Sequence, residues 1–244
     1  MYSVMSTSYK QINVLLEKSR DTPIHMQVLF NVLMGLRRSE IIAVKYSDVD
    51  YVNRPLRVES QLGIVLNSEK RDFAPKTYTK QEITPKTKSS TRELPIPDYV
   101  FEAILQEREK YEKNRSRRST TFQDLDYICC SSYGRPRSRN YHWKHYKKLL
   151  QDSELPDIRW HDLCSTFCTL LLKNDFNPKA VSKLMGHSKE IITDVYGDNM
   201  EIIADGVPEI EEFMQEVLPD VQDEGVNDQT DILPDIDRYL EQDG

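Results

Sequence analysis

The stretch HDLCSTFC, residues 161–168, places His161, Cys164 and Cys168 at intervals of three and four residues. On an α-helix these intervals bring the three side chains to one face. A structural zinc site needs four ligands and usually takes its cysteines from a tight loop, so three positions on one helix argue against a metal. A thiol nucleophile paired with His161 is also disfavoured, because the sequence contains no recognisable acyl-transfer partner. We therefore expect neither a metal nor a cofactor here.

The other two cysteines, Cys129 and Cys130, are adjacent, which is unlike the spacing of a secreted disulfide framework. No apolar run approaches the ~20 residues of a membrane helix. The first residues lack the basic opening and the apolar stretch of a signal peptide. A chain of 244 residues is long enough to bury a hydrophobic core. These features predict a cytoplasmic globular protein.

Charge is divided unevenly along the chain. Residues 1–200 contain 32 Lys and Arg against 25 Asp and Glu, a net charge of +7. Residues 201–244 contain one basic and 15 acidic residues, a net charge of −14. A basic body with an acidic tail is commoner in chains that bind nucleic acid than in metabolic enzymes. Charge alone leaves a solvated surface beside a polar tail equally open.

The spacing of apolar residues predicts a mainly helical α+β fold with one small antiparallel sheet. Helices are expected at 9–20, 24–36, 39–45, 98–118, 140–151, 161–173, 178–185 and 189–196. Strands are expected at 56–66, 78–84 and 92–96, with a brief one at 127–130 before a turn at 133–136. Asp98 is well placed to cap the long helix, and Pro178 fits a first helical turn.

Four short stretches, far apart in the chain, combine cationic, imidazole and phenol side chains. They are GLRRSE at 35–40, PKTKSSTR at 85–92, HDLC at 161–164, and LMGH at 184–187 with Tyr196 nine residues after its histidine. In this order they resemble the catalytic domain of the tyrosine recombinases, the integrases of phages and conjugative transposons. That family's pattern is Gly-x-Arg-x-x-Glu, a lysine on a β-hairpin, His-x-x-Arg, and Gly-His followed by Tyr. The resemblance covers roughly residues 9–200.

The resemblance implies site-specific DNA recombination, in which a tyrosine attacks a DNA phosphate and forms a covalent 3'-phosphotyrosine. Tyr196 corresponds to this nucleophile, and Arg37 corresponds to an arginine that holds two phosphate oxygens. Lys86 corresponds to the acid that protonates the departing 5' oxygen. His161 and His187 correspond to groups that donate to the phosphate oxygens or help to move protons. This chemistry requires no metal ion.

Two of these assignments depend on neighbouring residues. Lys88 lies two positions after Lys86 and would share its strand face, so it is the alternative acid. The Lys-Thr pair followed by Ser and Arg fits the family better and favours Lys86. Glu40 lies three positions after Arg37, close to one helical turn, and is expected to support that arginine from behind.

The chain departs from the family pattern at Cys164, where relatives carry the second arginine of the phosphate clamp. The next position, often histidine in relatives, is Ser165. A thiol is neutral near pH 7 unless perturbed, and a thiolate would repel the phosphate. Loss of one preorganised donor typically costs a factor of about 10² to 10³ in rate. A catalytically inactive DNA-binding or decoy module of the same fold is therefore the alternative function.

Double-stranded DNA is the expected partner, and several basic residues near the motifs are expected to contact its phosphates. They are Arg38, Lys88, Arg92, Arg139, Lys144 and Lys147. The helix at 140–151 also carries four rings, those of Tyr141, His142, Trp143 and Tyr146. These rings are expected on the buried face of the helix rather than on DNA.

The chain is expected to divide into a catalytic domain, residues 1–200, and an acidic tail, residues 201–244. Relatives normally carry a helical DNA-clamping domain before this point, and the first arginine motif begins at Gly35, too early to leave room for one. Apolar residues at near-helical intervals predict a docking helix near 201–218. The resemblance implies a tetramer on DNA through this segment, and we expect a monomer without DNA, with the segment packed in cis.

Overall fold

Amphipathic helices packed around short antiparallel strands form the fold, and the computed structural model describes residues 9–66, 78–83, 91–173 and 176–186. The helices are α1 (Tyr9–Ser19), α2 (His25–Val32), α3 (Arg38–Ile41), α4 (Asp98–Arg117), α5 (Arg139–Asp152), α6 (Trp160–Lys173) and α7 (Pro178–Met185). The strands are β1 (Pro55–Val58), β2 (Gln61–Leu66), β3 (Tyr78–Ile83) and β4 (Arg92–Pro95), and a short 3-10 helix spans Tyr46–Asp48. The predicted mainly helical α+β class is confirmed.

The described strands form two antiparallel pairs. β1 pairs with β4, and Leu56 lies opposite Leu94. β2 pairs with β3, and Leu62 lies opposite Glu82. Leu56, Leu94 and Leu62 are all buried, so each pair turns one face towards the helices.

Two strand predictions are wrong in detail. The single strand predicted at 56–66 is interrupted at residues 59–60, because its two halves pair with different partners. The segment 127–130 is not a strand; it makes isolated bridges, one of which joins Tyr127 to Lys45. An apolar run can fill the core without a continuous ladder, which periodicity alone does not distinguish.

α2 lies at the centre of the hydrophobic core. Every residue from Met26 to Val32 is buried, and the helix contacts α1, α3, α4 and α6. A helix that is apolar on all sides needs such complete burial. The polar Asn31 is accommodated because its side-chain amide donates to the Leu36 carbonyl at 3.0 Å. This hydrogen bond fixes the turn that follows α2.

Helix ends follow local side-chain chemistry. Asp98 is the first residue of α4 rather than its cap, and its carboxylate pairs with Arg54 instead of a helix N–H. α7 begins at Pro178 and ends at Met185, as predicted. The Asn177 side chain caps α7 by accepting a hydrogen bond from the Lys179 N–H at 2.9 Å.

The rings of α5 divide between core and surface. Tyr146 and His142 are buried, and each meets the Trp160 ring edge-on, at centroid distances of 4.8 and 4.0 Å. Trp143 is 45% exposed, and the Lys147 ammonium lies 4.7 Å from its ring centroid. The prediction of a buried aromatic face is correct for Tyr146 and His142 and wrong for Trp143. At about 100° per residue, position 143 lies off the stripe that 142 and 146 share.

Part of the predicted organisation lies outside the described residues. This applies to the helix at 189–196 and to the docking helix near 201–218. Over the described ranges, no helix is both long enough and apolar enough to cross a membrane.

Burial of His142 predicts acid-sensitive stability. Among the described residues neither ring nitrogen has a hydrogen-bond partner, and burial, with smaller effects of Arg38 and His145, lowers the pKa of His142 from 6.5 to about 4. The unfolded chain therefore takes up this proton first, and the free energy of unfolding should fall as pH drops from 6.5 to 4. The loss is at most about 3 kcal/mol. His142→Phe should remove this part of the pH dependence and keep the ring contact with Trp160.

Urea denaturation of both proteins at pH 7 and at pH 4.5 measures the effect. His145→Phe, which replaces a partly exposed ring on the same helix, is the matched control and should change the pH dependence less. An equal loss of stability in the native chain and in His142→Phe would contradict the prediction.

Candidate active site

The turn after α2 is shaped by Gly35. Its φ of 64° lies in the left-handed region that favours glycine. A Cβ at this position would lie 2.6 Å from Phe167 Cδ1 and 2.8 Å from Met185 Sδ. Phe167 belongs to α6 and Met185 ends α7, so both helices pack against the turn. Three of the four sequence motifs therefore meet at one place.

Arg37 follows this turn and immediately precedes α3 as its N-cap. Glu40 Oε2 accepts from the backbone N–H of Arg37 at 2.9 Å, and Glu40 Oε1 accepts from the guanidinium Nη1 at 2.9 Å. The guanidinium Nη2 donates to the carbonyl of Gly186 at 2.9 Å. Gly186 directly follows α7 and has a φ of 61°, a left-handed conformation that glycines after helices commonly adopt. The bonds to Glu40 and Gly186 fix the orientation of the Arg37 guanidinium. The Arg37 side chain is 28% exposed, so it is also accessible from solvent.

Glu40 is buried between two arginines. The side chains of Glu40 and Arg92 are each 3% exposed. Arg92 Nη1 and Nη2 donate to the two Glu40 oxygens at 3.1 and 3.0 Å, and Arg92 Nε donates to the Leu184 carbonyl at 2.6 Å. Burial by itself would raise the pKa of Glu40, but the hydrogen bonds and charge of Arg92, together with those of Arg37, lower it. Glu40 is therefore a carboxylate at neutral pH.

The expectation that Arg92 contacts DNA is contradicted by its burial. Residues of β4 alternate between buried and exposed, and Arg92 shares the buried face with Leu94. Sequence reasoning assigned Arg92 to DNA from its place in a basic motif and missed its bond to Glu40. The signal that points inward is the two-residue spacing from Leu94.

Cys164 lies where the resemblance to the family predicts the second arginine. The thiol is buried and donates to the Gly35 carbonyl, with a sulfur–oxygen distance of 3.0 Å. Burial raises the pKa of the Cys164 thiol to about 11, against a smaller opposite effect of Arg37. The thiol is therefore neutral near pH 7 and adds no positive charge to the site.

His161 does not share the surroundings of Cys164. It is exposed at the second position of α6, whereas Cys164 is buried and Cys168 packs, partly buried, against the hydrophobic core. The three side chains at helical intervals therefore lie in different environments. Within the described ranges, no three side chains of His, Cys, Asp or Glu come together in a group suited to a metal ion.

The remaining basic residues assigned to DNA differ in their surroundings. Arg38 begins α3 and is half-exposed, Lys144 is exposed on α5, and Arg139 is the first residue of α5. Lys147 forms an ion pair with Asp157. A phosphate contact by Lys147 would therefore require that ion pair to open.

Several of the predicted site residues lie outside the described residues: Lys86, Lys88, His187 and Tyr196. The described structure fixes the elements from which these segments leave. β3 ends at Ile83, β4 begins at Arg92, and α7 ends at Met185. The hydrogen bonds among Arg37, Glu40 and Arg92, and those to the α7 carbonyls, link the start of β4 and the end of α7 to α3.

The turn at Gly35, the helix that carries His161 and Cys164, and the end of α7 at Gly186 converge, which is the arrangement expected of a tyrosine recombinase catalytic domain. The sequence profile described as the phage integrase family matches residues 5–201. The chain belongs to this family.

Curated relatives include a protein named tyrosine recombinase XerC-like from Caldanaerobacter subterraneus subsp. tengcongensis. It is 29% identical over 163 residues, which cover 65% of this chain and 41% of that protein. The transposase from transposon Tn916 of Enterococcus faecalis is 28% identical over 173 residues, which cover 68% of this chain and 40% of that protein. The chain thus spans about two-fifths of the length of these relatives.

Solved structures share the fold. The Tn1549 transposon integrase in complex with circular intermediate DNA has a TM-score of 0.60 and 21% identity, covering 82% of this chain and 64% of that one. The XerH site-specific recombinase, in a post-cleavage complex with palindromic difH substrate, has a TM-score of 0.53 and 15% identity, covering 86% of this chain and 52% of that one.

The position of Gly35 predicts that an added methyl group destabilises the site. Gly35→Ala should lower the free energy of unfolding by about 2 to 4 kcal/mol, because alanine is strained at positive φ and its Cβ collides with Phe167. Thermal and urea unfolding measure the loss. Lys113→Ala, at an exposed position of α4, is the control and should change stability little. Equal unfolding temperatures for Gly35→Ala and the native chain would contradict this account of the turn.

Proposed function

We propose that the chain contains the catalytic part of a site-specific DNA recombinase that cuts and rejoins strands through Tyr196. The observation that carries the proposal is the fixed guanidinium of Arg37. Glu40 and the Gly186 carbonyl hold it, and its exposed part faces solvent beside two other family motifs. A planar guanidinium presents paired donors that match two oxygens of a phosphate.

The proposed reaction is a metal-free transesterification. The Tyr196 phenol oxygen attacks the phosphorus, the new P–O bond forms to tyrosine, and the bond from phosphorus to the 5' oxygen breaks. Lys86 supplies a proton to the departing 5' oxygen, and His161 or His187 helps to remove the phenol proton. A free phenol has a pKa of about 10, so cations at the phosphate are needed near neutral pH. The phosphotyrosine conserves the bond energy for rejoining another strand without ATP.

The partner proposed is double-stranded DNA, bound by a tetramer of the chain when two sites are joined. The basic excess of residues 1–200 supports DNA binding, because phosphates attract clustered Lys and Arg. The DNA complexes of the Tn1549 integrase and XerH are consistent with this partner. We propose that residues 201–218 dock in cis without DNA and in trans within the tetramer.

A catalytically inactive DNA-binding module is the second candidate. It is favoured by Cys164, whose buried thiol is neutral at the position of the second arginine. A site that lacks one preorganised cationic donor loses about 3 to 4 kcal/mol of transition-state stabilisation. Such a chain keeps the fold and DNA surface of a recombinase while cutting slowly or not at all.

A nicked suicide DNA substrate separates the two candidates. The 5' product diffuses away after cleavage, so an active chain accumulates a covalent adduct that a denaturing gel resolves. The native chain should form the adduct, and Tyr196→Phe should abolish it while leaving DNA affinity nearly unchanged. Tyr133→Phe, at an exposed tyrosine, is the matched control and should react like the native chain. An adduct that persists in Tyr196→Phe would mean that another residue is the nucleophile.

Restoring the second arginine should accelerate cleavage. Cys164→Arg is expected to raise the rate of adduct formation by about 10²-fold or more, because it returns a cationic donor to the phosphate clamp. Cys164→Ser, which can keep a hydrogen bond to Gly35 without adding charge, is the control and should give no gain. Equal rates for the arginine and serine variants, both folded, would show that position 164 does not limit the reaction.

DNA affinity should fall steeply with salt, since phosphate binding releases counterions. Lys144→Gln should weaken binding and reduce the slope of log affinity against log salt by about one. Lys113→Gln, on an exposed part of α4, is the matched control and should leave the slope unchanged. Fluorescence anisotropy of labelled duplex DNA at several salt concentrations makes the comparison. An affinity independent of salt would exclude a phosphate-binding surface.

A further inference from the structure

We propose that Arg92 is a positioning residue that keeps the charge of Arg37 available to a phosphate by neutralising Glu40. The inference rests on the proposed function, and it assigns to Arg92 a role distinct from DNA contact. It is carried by the geometry of three side chains from two elements that are far apart in sequence.

Glu40 is needed for orientation but carries the wrong charge for the site. It holds the backbone and the guanidinium of Arg37 through separate oxygens, each at 2.9 Å. A carboxylate this close to a guanidinium also cancels most of its attraction for a phosphate. With Cys164 neutral, the site lacks the cation that the family pattern supplies next to Arg37. A second positive charge beside Glu40 is therefore needed to balance the carboxylate, so that the charge of Arg37 can attract a phosphate.

Arg92 supplies this charge from the buried side. Its guanidinium donates to both Glu40 oxygens at 3.0 to 3.1 Å, and both side chains are 3% exposed. Arg37, on the other side of Glu40, is 28% exposed. The three groups together carry a net charge of +1, and the accessible part of that charge is on Arg37. Because solvent screens buried ion pairs less than exposed ones, the buried Arg92 balances the charge of Glu40 more strongly than the partly exposed Arg37 does.

Arg92 also ties together the elements around the site. It begins β4, directly after the segment that contains Lys86, and its Nε donates to the Leu184 carbonyl at 2.6 Å near the end of α7. The Arg37 guanidinium binds Gly186 two residues further on. Arg37 and Arg92 therefore both bind the Glu40 carboxylate, and both also bind backbone carbonyls at the end of α7, just before His187 in the sequence.

A double-mutant cycle tests the role of charge. Arg92→Met, Glu40→Gln and the double variant are compared with the native chain in single-turnover adduct formation and in binding of uncleaved DNA. Arg92→Met should slow adduct formation by about 10²-fold, because Arg37 is drawn to the unbalanced carboxylate. DNA affinity should fall far less than the rate, since Arg92 is buried and Arg37 is only one of several expected phosphate contacts. The double variant should recover at least tenfold of the loss, because a neutral amide no longer cancels Arg37.

A second readout follows Arg37 directly and does not need activity. Nitrogen-15 NMR of the arginine side chains, with the Arg37 signal assigned from Arg37→Lys, reports the guanidinium environment. The signal should shift in Arg92→Met and return towards its native position in the double variant. Arg92→Lys, which keeps the charge, should retain a rate within about tenfold of native. Arg57→Met, on β1 across from β4, is the matched control and should change neither signal nor rate.

The outcomes separate the inference from the proposed function. If neither the native chain nor Cys164→Arg forms an adduct, the proposed function fails, and the Arg37 signal alone decides the role of Arg92. A native Arg37 signal in folded Arg92→Met, or a double variant no faster than Arg92→Met, overturns the inference. If Arg92→Met does not fold, Arg92→Gln takes its place in both measurements with the same expectations.

Discussion

The carboxylate of Glu40, buried between the guanidinium groups of Arg37 and Arg92, is the interaction on which the site depends. A buried charge is costly unless its partners and hydrogen bonds are in place, and removing one partner of such a pair typically costs about 3 to 5 kcal/mol. The requirement to pair Glu40 therefore holds α3 against β4. The carbonyls of Leu184 and Gly186, which accept from the same two arginines, bring the end of α7 to the same point.

Close packing at Gly35 completes this arrangement from the other side. Only a residue without a side chain fits between Phe167 and Met185, and its carbonyl receives the thiol of Cys164. Cys164 thus satisfies a buried backbone acceptor, which a neutral and small side chain does well. By the family resemblance, the same features leave the proposed phosphate site without its second arginine.

Membership of the phage integrase family and activity are separate questions for this chain. A fold constrains where functional groups stand, whereas the reaction depends on the groups themselves. The paired arginines provide a positively charged, partly exposed guanidinium in a fixed orientation, which suits a phosphodiester. Strand cleavage by this chain would require the one guanidinium of Arg37, together with a lysine and histidines, to replace the two arginines of the family pattern. Both proposed functions, recombinase and inactive DNA-binding module, use the same fold, and Cys164 is the residue on which the second proposal rests.

The sequence by itself determined the family, the mainly helical α+β class and the bounds of α7, because the motifs and apolar spacings are local signals. It also indicated Glu40 as the support of Arg37, since the two are three positions apart, close to one helical turn. Only the tertiary structure placed Arg92 in the core, joined Arg37 to Gly186, and split the strand predicted at 56–66 between two partners. These features depend on contacts between residues as many as 149 positions apart. Local charge pattern suggests exposure for any arginine, and only the position of a buried carboxylate decides that one of them lies inside.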